Sequence, residues 1–240
     1  MKPKEENSYR SILRGTSLFG GVQVFNILTG LVRGKLVAIF LGPAGMGISA
    51  LFSTAGATIQ QFASLGLNLA IVKEVSSTRD DSGALAATLA AARRLILLTA
   101  LLGAVVCFAA SPLLSRWSFG NSDYTAGFML LSAMVFFAIA GAGELSVLQG
   151  MRQVKRLSLA SLVGGLAGLC IGVPLYAFFG ERGIVPALIA VPLSTSLFYL
   201  YALRRSNLPH PAPFRMREHR TIAGRLIGLG MVLMAGALLG

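Results

Sequence analysis

The chain has 240 residues, of which 55% are hydrophobic and only 12% charged. An ordinary globular domain is about 25% charged, so too little polar surface remains here to coat a soluble protein. The net charge of +12 invites a nucleic-acid reading. That reading fails because the cations sit in short segments between apolar runs, the pattern of juxtamembrane residues facing anionic lipid heads.

Residues 1–14 form a polar, charged segment expected to lie in the cytoplasm. The first apolar run, 15–41, is too long for a signal-peptide core and lacks a small-residue cleavage site. It reads as a retained membrane helix. Two cations, Arg33 and Lys35, interrupt it within "LVRGKLVAIFLGPAGMG" at 31–47. At about 100° per residue, Phe19, Gln23, Asn26, Gly30 and Arg33 fall within about 80° of one another. Lys35 lies about 180° from Asn26. Both cations share a face only if the helix unwinds at Gly34.

The second run, 44–71, carries Thr54, Thr58, Gln61, Ser64 and Asn68 at spacings of three and four. They span about 120° of arc. Such a stripe does not suit lipid. It is either interhelical glue or the wall of a hydrated cavity, and a second striped helix next door favours the cavity.

The third run is expected at 95–114 and the fourth at 125–150. Glu144 in the fourth is the one acid inside a span, about 9 Å from the helix end at about 1.5 Å per residue. A carboxylate there reaches the interface, pairs with a cation, or carries a coupling proton. The fifth run, 158–179, has Gly164, Gly168 and Gly172 at four-residue spacing, which lets another backbone approach closely. The sixth, 183–203, contains Pro186 and Pro192, with a kink expected at Pro192. A polar linker follows at 204–221, the natural joint between two lobes. Residues 222–240 read as the start of a seventh helix. Its uninterrupted apolar part, Leu226 to Gly240, has 15 residues, short of the roughly 20 that cross a bilayer. A truncated chain is expected.

Of the 21 lysines and arginines, 17 fall on the side that carries the N-terminus, Arg116 and Arg182 on the other, and Arg33 and Lys35 within the first span. The asymmetry predicts a cytoplasmic N-terminus. Cys107 and Cys170 lie deep in apolar runs, without metal-ligand or disulfide spacing, and His210 and His219 sit in the polar linker. No catalytic motif or metal cluster is present, so an enzyme is not expected. The expected fold is an all-α polytopic membrane protein with a six-helix lobe at 15–203 and the beginning of a seventh helix.

Three stretches carry a family resemblance: "LGPAGMG" at 41–47, "ASLGLNLAIVKEVS" at 63–76 and "LQGMRQVKRLSLAS" at 148–161. They resemble the polysaccharide and O-antigen flippases of the multidrug/oligosaccharidyl-lipid/polysaccharide exporter superfamily. The resemblance implies two lobes around a central cavity, of which this chain supplies the first, in a bacterial inner membrane. It implies a substrate, an oligosaccharide on a polyprenyl diphosphate, moved from the cytoplasmic to the periplasmic leaflet for surface polysaccharide or lipopolysaccharide biosynthesis. It also implies cavity cations and no cofactor. The candidate substrate-binding residues are Arg33, Lys35, Asn26, Gln23, Gln61, Asn68 and Thr58, with Glu144 the candidate for ion coupling. An inward arginine offers paired contacts to phosphate, and the polar stripes offer hydrogen bonds to sugar hydroxyls. Expected partners are the lipid-linked substrate, anionic membrane lipids, and the polymerase and ligase of the same glycan, with no nucleic acid.

Three rival readings stay open. A multidrug cation antiporter of the same superfamily would use inward acids, whereas two cations and one acid lie within the spans here. A membrane-embedded glycan enzyme would need a well-placed acid or histidine. A non-transporting scaffold is the third.

Overall fold

The computed structural model describes residues 3–64, 66–206 and 222–232. Side chains of residues 3–23 and of Phe25 and Asn26 fall outside that description. Every regular element among the described residues is a helix. The elements are α1 (Pro3–Ser64), α2 (Leu67–Ser77), α3 (Ser82–Ala109), α4 (Ser111–Phe119), α5 (Thr125–Gly150), α6 (Val154–Phe179), a 3₁₀ turn (Gly180–Gly183) and α7 (Ile184–Arg204). A short apolar helix, α8, spans Ile222–Val232.

Four continuous apolar stretches are long enough to cross a bilayer: Ile27–Ser64, Ser82–Ala109, Thr125–Gly150 and Val154–Arg204. At about 1.5 Å per residue, the first and last far exceed a core about 30 Å thick. Each contains a break. In α1 it is Gly42, with φ 64° and ψ −169°, followed directly by Pro43. Only glycine adopts that backbone without strain, and proline supplies no N–H to the preceding turn. The break divides α1 into two arms, so "LGPAGMG" is the corner between two crossings. The Gly180–Gly183 turn does the same between α6 and α7. Six crossings result among the described residues, as expected from the apolar runs.

Two boundaries differ from the sequence reading. The third crossing starts at Ser82 rather than 95, and ends at Ala109 rather than 114. Hydropathy stops at Arg93 and Arg94, but helix propensity does not. The alanine-rich stretch after Ser82 favours helix, and the Asp81 side chain caps its start by accepting from the Gly83 and Ala84 amides. The second crossing is also in two pieces. Gly66 takes a left-handed conformation with φ 67°, so Asn68 on α2 does not continue the helical phase counted from Thr54.

Successive crossings alternate in direction, which gathers the connections α2–α3 and α5–α6 and the end of α7 at one end of the lobe. That end carries Lys73, Arg79, Arg152, Lys155, Arg156, Arg204 and Arg205 and is called the basic end below. α4 and the 3₁₀ turn lie at the other.

Helix α5 is the central post. Gly143 on α5 receives Ile96 of α3, and Gly103 on α3 receives Ile139 and Val135 of α5. At the end away from the basic one, Phe52, Phe119, Tyr124 and Phe128 form an aromatic cluster with ring centroids 4.0–6.2 Å apart. It ties the second arm of α1 and α4 to the start of α5. Helices α6 and α7 form an antiparallel hairpin in which Gly164 faces Thr195, Gly168 faces Val191 and Gly172 faces Ala187. The expected glycine ladder is thus a packing face, and its partner is the next helix in the chain.

Candidate functional site

Arg33 and Lys35 lie on a continuous helix. The one non-helical residue inside α1 is Gly42, so no unwinding occurs at Gly34. About 200° of helix rotation separates the two side chains, and they point to different sides. Lys35 is exposed, whereas Arg33 is half-buried. Arg33 and Leu36 lie against Gly168, Gly172 and Tyr176 of α6 and Ala187 and Val191 of α7, around a space of about 10 Å³, room for about one water.

Tyr176 is the residue that the sequence reading missed. It is 3% exposed and its hydroxyl is buried without a hydrogen-bond partner. A signal for it existed. Tyr176 extends the four-residue row of Gly164, Gly168 and Gly172 by one step, so it shares their face.

On the second arm, Thr54, Thr58 and Gln61 are exposed, while Ser64 is buried and Asn68 half-buried. The Thr58 hydroxyl donates to the Thr54 carbonyl at 2.9 Å, and the Ser64 hydroxyl donates to the Gln61 carbonyl at 3.0 Å. These hydroxyls are satisfied by their own helix. The exposed part of the stripe, Thr54 to Gln61, is an open polar face of this lobe rather than glue between its described helices. The side chains of Gln23 and Asn26, the other half of the expected lining, lie outside the description.

Glu144 stands apart from this face. It is half-buried on α5, and its Oε2 accepts a hydrogen bond from the Ser196 hydroxyl of α7 at 3.1 Å. It lines a cavity of about 300 Å³ with Arg93 of α3 and Arg204 of α7. The structure therefore separates two sets of residues that the sequence had placed in one mechanism. No group of three or more metal-ligating side chains is present among the described residues.

At the basic end, Arg225 of α8 pairs with Glu74 of α2 at 3.2 Å, and Leu226 is fully buried. The first turns of α8 thus dock on the lobe where α2 ends. Arg156 donates to the Ser206 hydroxyl at 2.8 Å, which ties the start of α6 to the residues just after α7.

The helices and their open polar face define an all-helical, multi-pass membrane protein. Residues 12–240 match the polysaccharide biosynthesis protein family, and the chain belongs to that family. It is 31% identical over 176 residues to the lipid III flippases of Escherichia coli K12 and Shigella flexneri, a match covering 70% of this chain and 42% of each relative. Among solved structures it is similar to a MOP superfamily transporter from Pyrococcus furiosus, with a TM-score of 0.73, 18% identity, and coverage of 95% of this chain and 52% of that one. It is also similar to an outward-facing multidrug resistance transporter of the MATE family in the same superfamily, with a TM-score of 0.67, 19% identity, and coverage of 90% and 50%. The chain spans less than half the length of the curated relatives and about half that of the solved ones. Its helices share the fold of about half of each of these two structures.

Proposed function

We propose that the chain is the first lobe of a flippase that moves a polyprenyl-diphosphate-linked oligosaccharide from the cytoplasmic to the periplasmic leaflet of a bacterial inner membrane, for surface polysaccharide biosynthesis. The observation that carries this reading is the 31% identity to lipid III flippases over 176 residues. The geometry supports it. A diphosphate-sugar head does not cross lipid unaided, because its charges and hydroxyls are costly to desolvate. Thr54, Thr58 and Gln61 offer it an uncovered polar track, and Arg33 offers a guanidinium within the span.

In this reading residues 15–203 are the lobe, 204–221 the cytoplasmic joint and 222–240 the start of the second lobe. Rocking of the lobes about the joint exposes the polar face to each side in turn while the lipid tail stays in the bilayer. Glu144 is the candidate for ion coupling. The role is transport and not catalysis, and the two curated relatives named above are themselves flippases. A polymerase and a ligase would then take up the flipped glycan.

The test uses cells that lack the full-length protein. The lipid-linked oligosaccharide should accumulate with its sugar facing the cytoplasm, protected from an impermeant lectin in right-side-out vesicles. Unchanged lectin access to the glycan would remove flipping from its role and leave the scaffold reading.

A further inference from the structure

The groove around Glu144 is a separate feature of the lobe. Helices α3 and α7 both pack on α5 and leave a trough between them, with a volume of about 300 Å³. Its floor is Ala140, Glu144 and Val147 of α5, and its walls carry Ile96 and Leu97 of α3 and Leu200 of α7. Leu97 is half exposed, and so are Leu98, Leu101 and Leu102 beside it on α3. The trough therefore opens sideways onto an apolar surface of the kind that faces lipid, and its lining comes from α3, α5 and α7 rather than α1.

Its charges are arranged in depth. Arg204 ends α7 at the basic rim. Arg93 lies one turn nearer that rim than Ile96, which packs on Gly143, and about 4–5 Å nearer at about 1.5 Å per residue. Glu144 is deepest, and one of its oxygens is held by Ser196. Two guanidiniums on opposite walls and one carboxylate on the floor leave a net positive charge above an apolar trough.

We propose that this groove is a binding site for an anionic phospholipid of the leaflet at the basic end. The phosphate diester would lie between Arg93 and Arg204, and an acyl chain would run along Leu97, Ile96 and Leu200. Charge complementarity selects this occupant. Guanidinium pairs match phosphate oxygens on two edges, and basic pockets between membrane helices are known to take phosphate headgroups. A cationic amphiphile would have to pass both arginines to reach Glu144. A water-soluble anion would leave the apolar walls uncovered. The site does not depend on the transport reading, since none of its lining residues belongs to the proposed substrate track.

The experiment is native mass spectrometry of the whole protein in detergent, offered dioleoyl phosphatidylglycerol, dioleoyl phosphatidylcholine or undecaprenyl phosphate at equal concentration. Phosphatidylglycerol should be retained about tenfold over phosphatidylcholine, from two basic contacts. The Arg93→Gln/Arg204→Gln double variant should fall to the phosphatidylcholine level, while Lys155→Gln, at an exposed position in the first turn of α6, should not. On the unaltered protein, a phosphatidylglycerol carrying a diazirine in its acyl chain should label peptides 86–97 and 200–204. Equal retention of the two phospholipids, full retention by the double variant, preference for undecaprenyl phosphate, or labelling that misses both peptides would each overturn the assignment.

Discussion

Gly168 of α6 lies against the backbone of Val191 on α7, so close that a Cβ added at Gly168 would stand 2.5 Å from the Val191 Cα. The obstacle is main chain and cannot rotate away. Gly168→Leu should therefore push the hairpin apart, at a cost of about 3 kcal/mol or more, the upper range for overpacking. The melting temperature in detergent and the amount of protein in the membrane should both fall. Leu166 is 48% exposed on the other side of the same helix, and Leu166→Ala should change neither by much. A Gly168→Leu protein that melts like the parent would show that α6 and α7 do not pack as described.

Topology follows from the charge count and is directly testable. Ser118 lies in α4 at the end away from the basic one, and Ser77 is exposed at the end of α2 on the basic end. Single cysteines at these positions, in a background without Cys107 and Cys170, should react with an impermeant thiol reagent from opposite faces of the membrane. Ser118 should label from the periplasm. Labelling of both from one face would overturn the alternation of crossings. Ser206 is polar in sequence but only 6% exposed, and is unsuitable as a reporter.

The burial of Ser206 has its own consequence. Its hydroxyl accepts from Arg156 at 2.8 Å and donates to Gln153 Oε1 at 2.6 Å. This network joins the α5–α6 connection to the residues just after α7. Ser206→Ala should cost about 1 kcal/mol, as for a typical buried hydrogen bond, with somewhat more from the charged donor. Combined with Gln153→Ala in a double-mutant cycle, the two effects should couple by about 0.5 kcal/mol or more. Strict additivity in thermal unfolding would mean that the contact is not formed in the membrane-extracted protein.

Much of the fold was legible because a bilayer imposes one rule, a long apolar run for each crossing. Each apolar run marks one crossing, although α1 already begins at Pro3 rather than near 15. Another misjudged boundary is that of α3, where an alanine-rich helix continues past the point at which polarity rises. Glycine spacing correctly marked a packing face but not its partner, since close approach is written on one helix only. The site was less legible. Helical phase separated Arg33 from Lys35, yet it extended a stripe through Gly66, where the backbone turns left-handed and phase is lost. Glu144 gave a charge in sequence, but the groove with Arg93 and Arg204 depends on three helices meeting, which no local pattern records.

Arg33 tests the transport reading most sharply. It sits about 12 Å from the corner at Gly42, counting eight residues from Leu41 at about 1.5 Å each. A charge at the centre of a membrane helix costs roughly 3 kcal/mol on insertion scales, so a position there without function is disfavoured. Lys35, exposed and about 200° away around an unbroken helix, has a flexible stem that can reach the interface. In the full-length protein, Arg33→Gln should abolish glycan export. Arg33→Lys should preserve part of it, because the charge survives but the planar paired contact to phosphate does not. Lys35→Gln should be mild. Export should be read as surface glycan at matched protein levels, so that misfolding is not mistaken for loss of transport. Equal loss at Arg33 and Lys35 would mean that the helix opens at Gly34 during transport and that both cations meet the substrate. Normal export with Arg33→Gln would remove Arg33 from substrate handling and leave the open face of Thr54, Thr58 and Gln61 to carry it.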